Sequence, residues 1–463
     1  MKNLILTSGF LAALVLPTLA GANEMPPPGG EPKDFSLAEP VRFELDNGLS
    51  ATLLEFGTAP KATIYVSLAA GAVNEGEATW LSSLTGDMLK EGTENYTALE
   101  LAETAGAMGG GLSVGSGDES TTVYIDVLSE HAADAVKLVA EVLQRPTFPA
   151  SELDRIKRDY LRSLAVNKQQ PQALASQAYS KLLYGDHPFA GEWPTEAQLA
   201  AYTIEDVRDF YEGNFGAQRA RIYVAGVFDQ ARVKAAITEA FGGWARGPQR
   251  VIDIPADPAA PGVALVDRPG APQATIRLGL KTIDPSDPAW TKLVFTNTLL
   301  GGFFSSRVTE NIREDKGYTY SPRSSLASHY RDGYWTQSAD VSIEHTGDSL
   351  REIYGEIYRL RNEAPGADEI ERVRNFMTGS FIRSNASRLG ILGLIAFIDY
   401  HGLPREYLTE YASRVGAITA EDVRMTTEKY LVPEDMSLAV VGDLSQVRPQ
   451  LETVPQLEGR LPD

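Results

Sequence analysis

Thr121, Val123, Ile125 and Val127 alternate with polar neighbours, which predicts a strand buried on one face. Ala132, Ala135, Val136, Val139, Val142 and Leu143 then recur at helical spacing up to the break at Pro146. Between Val41 and Phe56, Asp46-Asn47-Gly48 is a turn signal separating two strand-like runs. Leu81, Leu84 and Met88 give a further helix its apolar stripe. Later in the chain, Ser305 and Ser306 are placed to cap a helix over Arg307 to Lys316. Gly317 would stop that helix, and Tyr318 to Tyr320 would resume as a strand. Helices lie between strands while hairpins require antiparallel neighbours. The expectation is an α+β fold with a mixed or antiparallel sheet.

That pattern is made twice. Thr203-Ile204-Glu205-Asp206-Val207-Arg208 leads into Arg221-Ile222-Tyr223-Val224-Ala225-Gly226, and 216 positions on Thr419-Ala420-Glu421-Asp422-Val423-Arg424 leads into Ser437-Leu438-Ala439-Val440-Val441-Gly442. Ala62-Thr63-Ile64 recurs as Ala274-Thr275-Ile276, and Glu152-Leu153-Asp154-Arg155 as Glu369-Ile370-Glu371-Arg372. Three matches in one order at nearly one offset define two homologous halves, each about the size of a domain. The expected bounds are 35–247 and 262–447, joined by a Pro-rich connector at 248–261 and followed by a tail at 448–463.

Composition narrows the function. The formal charge of −20 argues against a nucleic-acid partner, because a phosphate backbone demands a basic surface. There is no cysteine, so the fold cannot rest on disulfides. Lys2, the apolar stretch Leu4 to Leu19 and the small-residue site Ala20-Gly21-Ala22 predict a signal peptide over 1–22, cut near Ala22. A flexible Pro- and Gly-rich lead-in would follow over 23–34. No later apolar run reaches the ~18–20 residues that a spanning helix needs. A periplasmic or secreted protein without a membrane anchor is expected.

Two segments carry candidate chemistry. Residues 299–324 read LLGGFFSSRVTENIREDKGYTYSPRS, and residues 79–93 read TWLSSLTGDMLKEGT. The first resembles the C-terminal Arg/Tyr signature of the pitrilysin/insulinase-like zinc metallopeptidases, with Arg313 and Tyr320 in place. The second resembles the stretch in which that family carries His-x-x-Glu-His. The resemblance extends from FELDNGL at 43–49 to VVGDLSQV at 440–447, and is to the short bacterial branch, which is similar to the mitochondrial processing peptidase subunits. Two His at i and i+4 share a helix face and can bind zinc, while the Glu beside them activates water. Here those positions hold Ser83, Gly86 and Asp87. The family's third ligand, a Glu, would fall near Leu164, which offers no donor atom.

The five histidines, His131, His187, His329, His345 and His401, include no pair at helix-ligand spacing. The Gly109 to Gly117 run lacks the Lys-Ser/Thr of a phosphate-binding loop and does not open a helix after a strand.

The resemblance thus implies a division of labour. This chain would bring no cofactor, a homologous zinc-bearing subunit would bring zinc and water, and Arg313 and Tyr320 would act on a peptide held between the two. The Tyr hydroxyl can donate to the developing oxyanion, and the Arg fork can grip peptide backbone or a carboxylate. The alternatives are a non-enzymatic scaffold or peptide-binding protein of the same fold, and a homodimeric hydrolase with an unusual metal site.

Overall fold

A computed structural model of the chain describes residues 35–257 and 260–462. The expected signal peptide and lead-in lie outside the described residues. The first half carries a six-stranded sheet in the order β1-β2-β6-β3-β5-β4. Its strands are β1 (Val41–Glu44), β2 (Ser50–Glu55), β3 (Lys61–Leu68), β4 (Ser113–Ser116), β5 (Thr121–Leu128) and β6 (Ala220–Gly226). The second half carries five strands in the order β7-β11-β8-β10-β9. They are β7 (Val263–Asp267), β8 (Gln273–Thr282), β9 (Arg323–His329), β10 (Asp332–Ser342) and β11 (Ser437–Gly442). Apart from β1 the two orders are the same: β2, β6, β3, β5 and β4 correspond in turn to β7, β11, β8, β10 and β9. Each sheet is mixed, with one parallel pair, β2 with β6 and β7 with β11, among antiparallel ones. The chain is therefore two copies of one α+β unit.

Local signals account for the repeated elements. Asp46-Asn47-Gly48 closes the β1–β2 hairpin, with Gly48 at φ +91°. The helices Ile204–Asn214 and Ala420–Tyr430 each start in a capping box, Thr203 with Asp206 and Thr419 with Asp422. Rather than a tail, residues 448–462 continue the second core, where Leu451, Val454 and Leu457 are buried.

Each half also lends a helix to the other. The Pro171–Tyr184 helix of the first half sets Tyr179 and Leu183 against Ala439 of β11. The equivalent Arg388–His401 helix of the second half sets Ile391, Leu392, Ile395 and Ile398 against Leu54, Tyr223 and Ala225 of the first sheet. The first turns of the two helices make matching cross-half contacts. Arg388 donates from Nε and Nη2 to the Asp126 carboxylate, both at 3.0 Å, and Asp126 also accepts from Thr63 Oγ1 at 2.6 Å. In the other copy Gln172 Nε2 donates to Asp340 at 3.0 Å, and Asp340 accepts from Thr275 Oγ1 at 2.5 Å. Partial burial raises the Asp126 pKa, but Thr63, Arg388 and Lys61 outweigh that and hold it below the ordinary range.

One contact pairs two opposite charges and the other gives a carboxylate a neutral amide donor, so their mutants should differ. Arg388→Gln is expected to cost ~1–2 kcal/mol, discounted for the partial exposure of both groups, and Gln172→Ala ~0.5–1 kcal/mol. Urea unfolding of the two variants tests the order.

A second junction between the halves is more deeply buried. Lys281 Nζ of β8 lies 2.8 Å from Asp332 Oδ1 of β10, with their side chains 9% and 3% exposed. Tyr184 of the lent helix donates to Asp332 Oδ2 at 2.8 Å. Lys281 also donates to the connector carbonyls of Pro255 and Ala256. Beside this group, Phe189 stacks on His329 with ring centroids 3.6 Å apart.

Candidate functional site

The Leu81–Met88 helix carries Ser83, Gly86 and Asp87. It begins after Trp80, whose φ of +69° turns the chain sharply. Glu75 holds that turn: its carboxylate accepts from the N–H groups of Trp80 at 2.9 Å and Ser82 at 2.7 Å, and from the Ser82 hydroxyl. Burial pushes the Glu75 carboxyl up, against the lowering effect of these hydrogen bonds.

At the motif positions, other groups occupy the space and satisfy the charge. A Cβ on Gly86 would lie 2.5 Å from Ser116 Oγ. That oxygen is held by Ser82 O at 3.1 Å and Thr121 Oγ1 at 2.9 Å. Asp87 has a partner on each oxygen: Tyr160 donates its hydroxyl to Oδ2 at 2.9 Å, and Lys90 Nζ sits 3.1 Å from Oδ1. Burial, and then the charge of Asp87, raise the Tyr160 pKa and keep it a phenol. Leu164 is fully buried in the first core. From its helix, Ala150–Asn167, the residue that reaches Asp87 is Tyr160, one turn earlier. Ser83 opens onto a cavity of about 220 Å³ also lined by Glu75, Trp80, Asp118 and His187. His187 Nδ1 accepts from Phe189 N–H at 3.2 Å and so caps its own loop.

Zinc does not fit this set. Among the described residues no group of three or more His, Cys, Asp or Glu side chains is arranged to hold a metal ion. Asp87 is a single carboxylate donor whose two oxygens are already engaged by Tyr160 and Lys90. Restoring the motif as Ser83→His, Gly86→Glu and Asp87→His is therefore expected to leave the protein with less than about 0.1 zinc per chain after dialysis, read by elemental analysis. A carboxylate side chain introduced at position 86 would meet Ser116, and the third ligand would still be missing.

The Arg/Tyr segment forms a clamp. The expected helix over 307–316 is a short α-turn, Arg307–Thr309, followed by a π-helical turn, Glu310–Asp315. Neither Ser305 nor Ser306 caps it through a side chain; the Ser306 hydroxyl instead pairs with Thr309 Oγ1 at 3.0 Å. Gly317 ends it at φ +67°. The strand expected at 318–320 is one isolated bridge, Thr319 to Val341, and β9 starts only at Arg323. Pro322, which has no N–H for a ladder, precedes that start. Tyr320 therefore stands on a loop and is 77% exposed.

Arg313 and Tyr320 nevertheless converge. The Arg313 guanidinium carbon lies 4.7 Å from the Tyr320 ring centroid and 4.6 Å from that of Phe304. Its Nε is 3.0 Å from Glu314 Oε1, and the Arg313 side chain is 25% exposed. Among the described residues its two Nη nitrogens make no hydrogen bond, so the end of the fork is free for a two-point contact. Neither Arg313 nor Tyr320 lines the cavity beside Ser83.

Sequence reasoning missed Tyr160, Lys90, Ser116 and Phe304. Tyr160 had a local signal, since it lies four residues before Leu164 on one helix face. Phe304 had one too, as an aromatic directly beside the motif serines. Ser116 sits on another strand, and only the fold brings it to Gly86.

Two family matches lie in tandem on the chain. The insulinase family (peptidase family M16) matches residues 52–192, and the peptidase M16 inactive domain matches residues 201–377. The uncharacterized zinc protease YmxG of Bacillus subtilis is 26% identical over 413 residues, covering 87% of this chain and 98% of its own length. An uncharacterized zinc protease of Mycobacterium bovis is 27% identical over 426 residues, covering 90% and 96%. The structure of a peptidase M16 inactive domain from Pseudomonas fluorescens superposes with a TM-score of 0.82 at 25% identity, over 88% of this chain and 98% of that one. The periplasmic protease PqqL of Escherichia coli superposes with a TM-score of 0.76 at 17% identity, over 93% of this chain and 49% of its own; at that identity it speaks for the fold alone.

Proposed function

The chain belongs to the insulinase-like M16 peptidase family, and on that premise we propose that it is the zinc-free subunit of a two-subunit peptidase, presenting Arg313 and Tyr320 to a peptide held at a partner's metal. The observation that carries this reading is the contrast between the two halves. At Gly86 a side chain would meet Ser116, and both oxygens of Asp87 already have partners within the chain. Around Arg313 only Nε has a carboxylate partner, Glu314, and the phenol beside the guanidinium is exposed.

In this role the guanidinium holds peptide backbone or a carboxylate at two points. The Tyr320 hydroxyl donates to the oxygen that becomes negative when water adds to the peptide carbonyl. The partner supplies zinc and the attacking water, and this chain closes the second wall of the chamber. The expected compartment is the periplasm or the exterior, following the N-terminal signal segment.

The test is reconstitution. The chain alone should not cleave unstructured peptides. Mixed with a family member that has an intact His-x-x-Glu-His, it should form a 1:1 complex and show chelator-sensitive cleavage. Chelator-sensitive turnover by the purified chain alone would sink the proposal, and a stable complex with no turnover would favour a scaffold.

A further inference from the structure

The Arg313 guanidinium has two aromatic neighbours, and only one belongs to the motif. Phe304 approaches from the loop before the short helix, and Tyr320 from the loop after it. The ring distances of 4.6 and 4.7 Å are nearly equal, and both are within the range of a cation–π contact. Phe304 is nonetheless 63% exposed. Its neighbour Phe303 behaves differently: it stacks on Phe376, with ring centroids 4.9 Å apart, and packs against the second core. An exposed phenylalanine is not placed by burial, so its contact with Arg313 calls for another account.

We propose that Phe304 is a positioning residue that aims the free end of the Arg313 fork at the bound peptide. A long arginine side chain loses rotamer freedom when it is held in one geometry. Two rings in contact with the guanidinium, together with Glu314 at Nε, hold it before the ligand arrives. The two Nη nitrogens stay unbonded, so ordering does not consume the donors that a peptide needs. This inference rests on the reading of Arg313 as a peptide-gripping group, but the clamp can be measured without it.

The first measurement uses the isolated full-length chain. The Nε–Hε resonance of Arg313, assigned through Arg313→Lys, should carry an aromatic ring-current shift. Phe304→Ala and Phe304→Leu should remove roughly half of that shift, and Phe304→Trp should retain it. The second uses the reconstituted complex. A cation–π contact at an exposed site corresponds to a factor of ~2–5. Phe304→Ala and Phe304→Leu should raise KM by about that factor with kcat unchanged, and Phe304→Trp should restore KM. A resonance unmoved by Phe304→Ala overturns the clamp. A resonance that moves while KM stays constant overturns the aiming role. If Arg313→Ala also leaves turnover unchanged, it is the proposed function that fails, and the clamp stands as a purely local contact.

Discussion

In a complex with a zinc-bearing M16 subunit, Tyr320→Phe is expected to lower kcat by about 10²–10³-fold while KM changes little. The scale is that of removing one preorganised donor to an oxyanion. The phenol stands on an exposed loop with its ring against Arg313, so losing the hydroxyl should leave the fold intact. Arg313→Ala in the same complex is expected to lower kcat/KM by about 10²–10³-fold, chiefly through KM, because a two-point contact grips the ground state as well as the transition state. Arg313→Lys should recover little of this, since an ammonium cannot match a bidentate fork. Steady-state cleavage of a fluorogenic peptide separates the two effects. If both variants cleave like the parent in a verified complex, the pair has no part in the chemistry.

Lys281→Ala is expected to be the most destabilising single change away from the apolar cores, at ~3–5 kcal/mol. It would leave Asp332, 3% exposed, with no cation beside it. The Tyr184 hydroxyl would remain as a neutral donor, its pKa raised by burial and by the charge of Asp332. The damage should cross between the halves, because Asp332 lies in the second sheet and Tyr184 in the helix lent by the first. Replacing both partners with apolar residues, Lys281→Met with Asp332→Leu, should recover much of the loss, since the pair itself contributes little net stability. Guanidinium unfolding of the single and double variants checks this. A single-variant cost below ~1 kcal/mol would show that water reaches Asp332 and that the junction is not a dry one.

The sequence by itself determined the repeated α+β architecture, the lack of any His-x-x-Glu-His and the spacing of Arg313 and Tyr320. Each of these is written locally. Alternation and helical spacing state which face of an element is apolar, the Thr-x-x-Asp caps state where two equivalent helices begin, and Ser83 and Gly86 cannot be imidazole or carboxylate in any fold. Only the tertiary structure decided which surface each apolar face covers. An amphipathic stripe on the Pro171–Tyr184 helix asks for burial but does not name a sheet, and it is covered by the other half's sheet. The same holds for the charge on Asp87. Its chain neighbour Lys90 takes one oxygen, but the second goes to Tyr160, brought alongside from 73 residues away. Pairing across such distances depends on how whole elements pack, and the period of a single element carries no information about that.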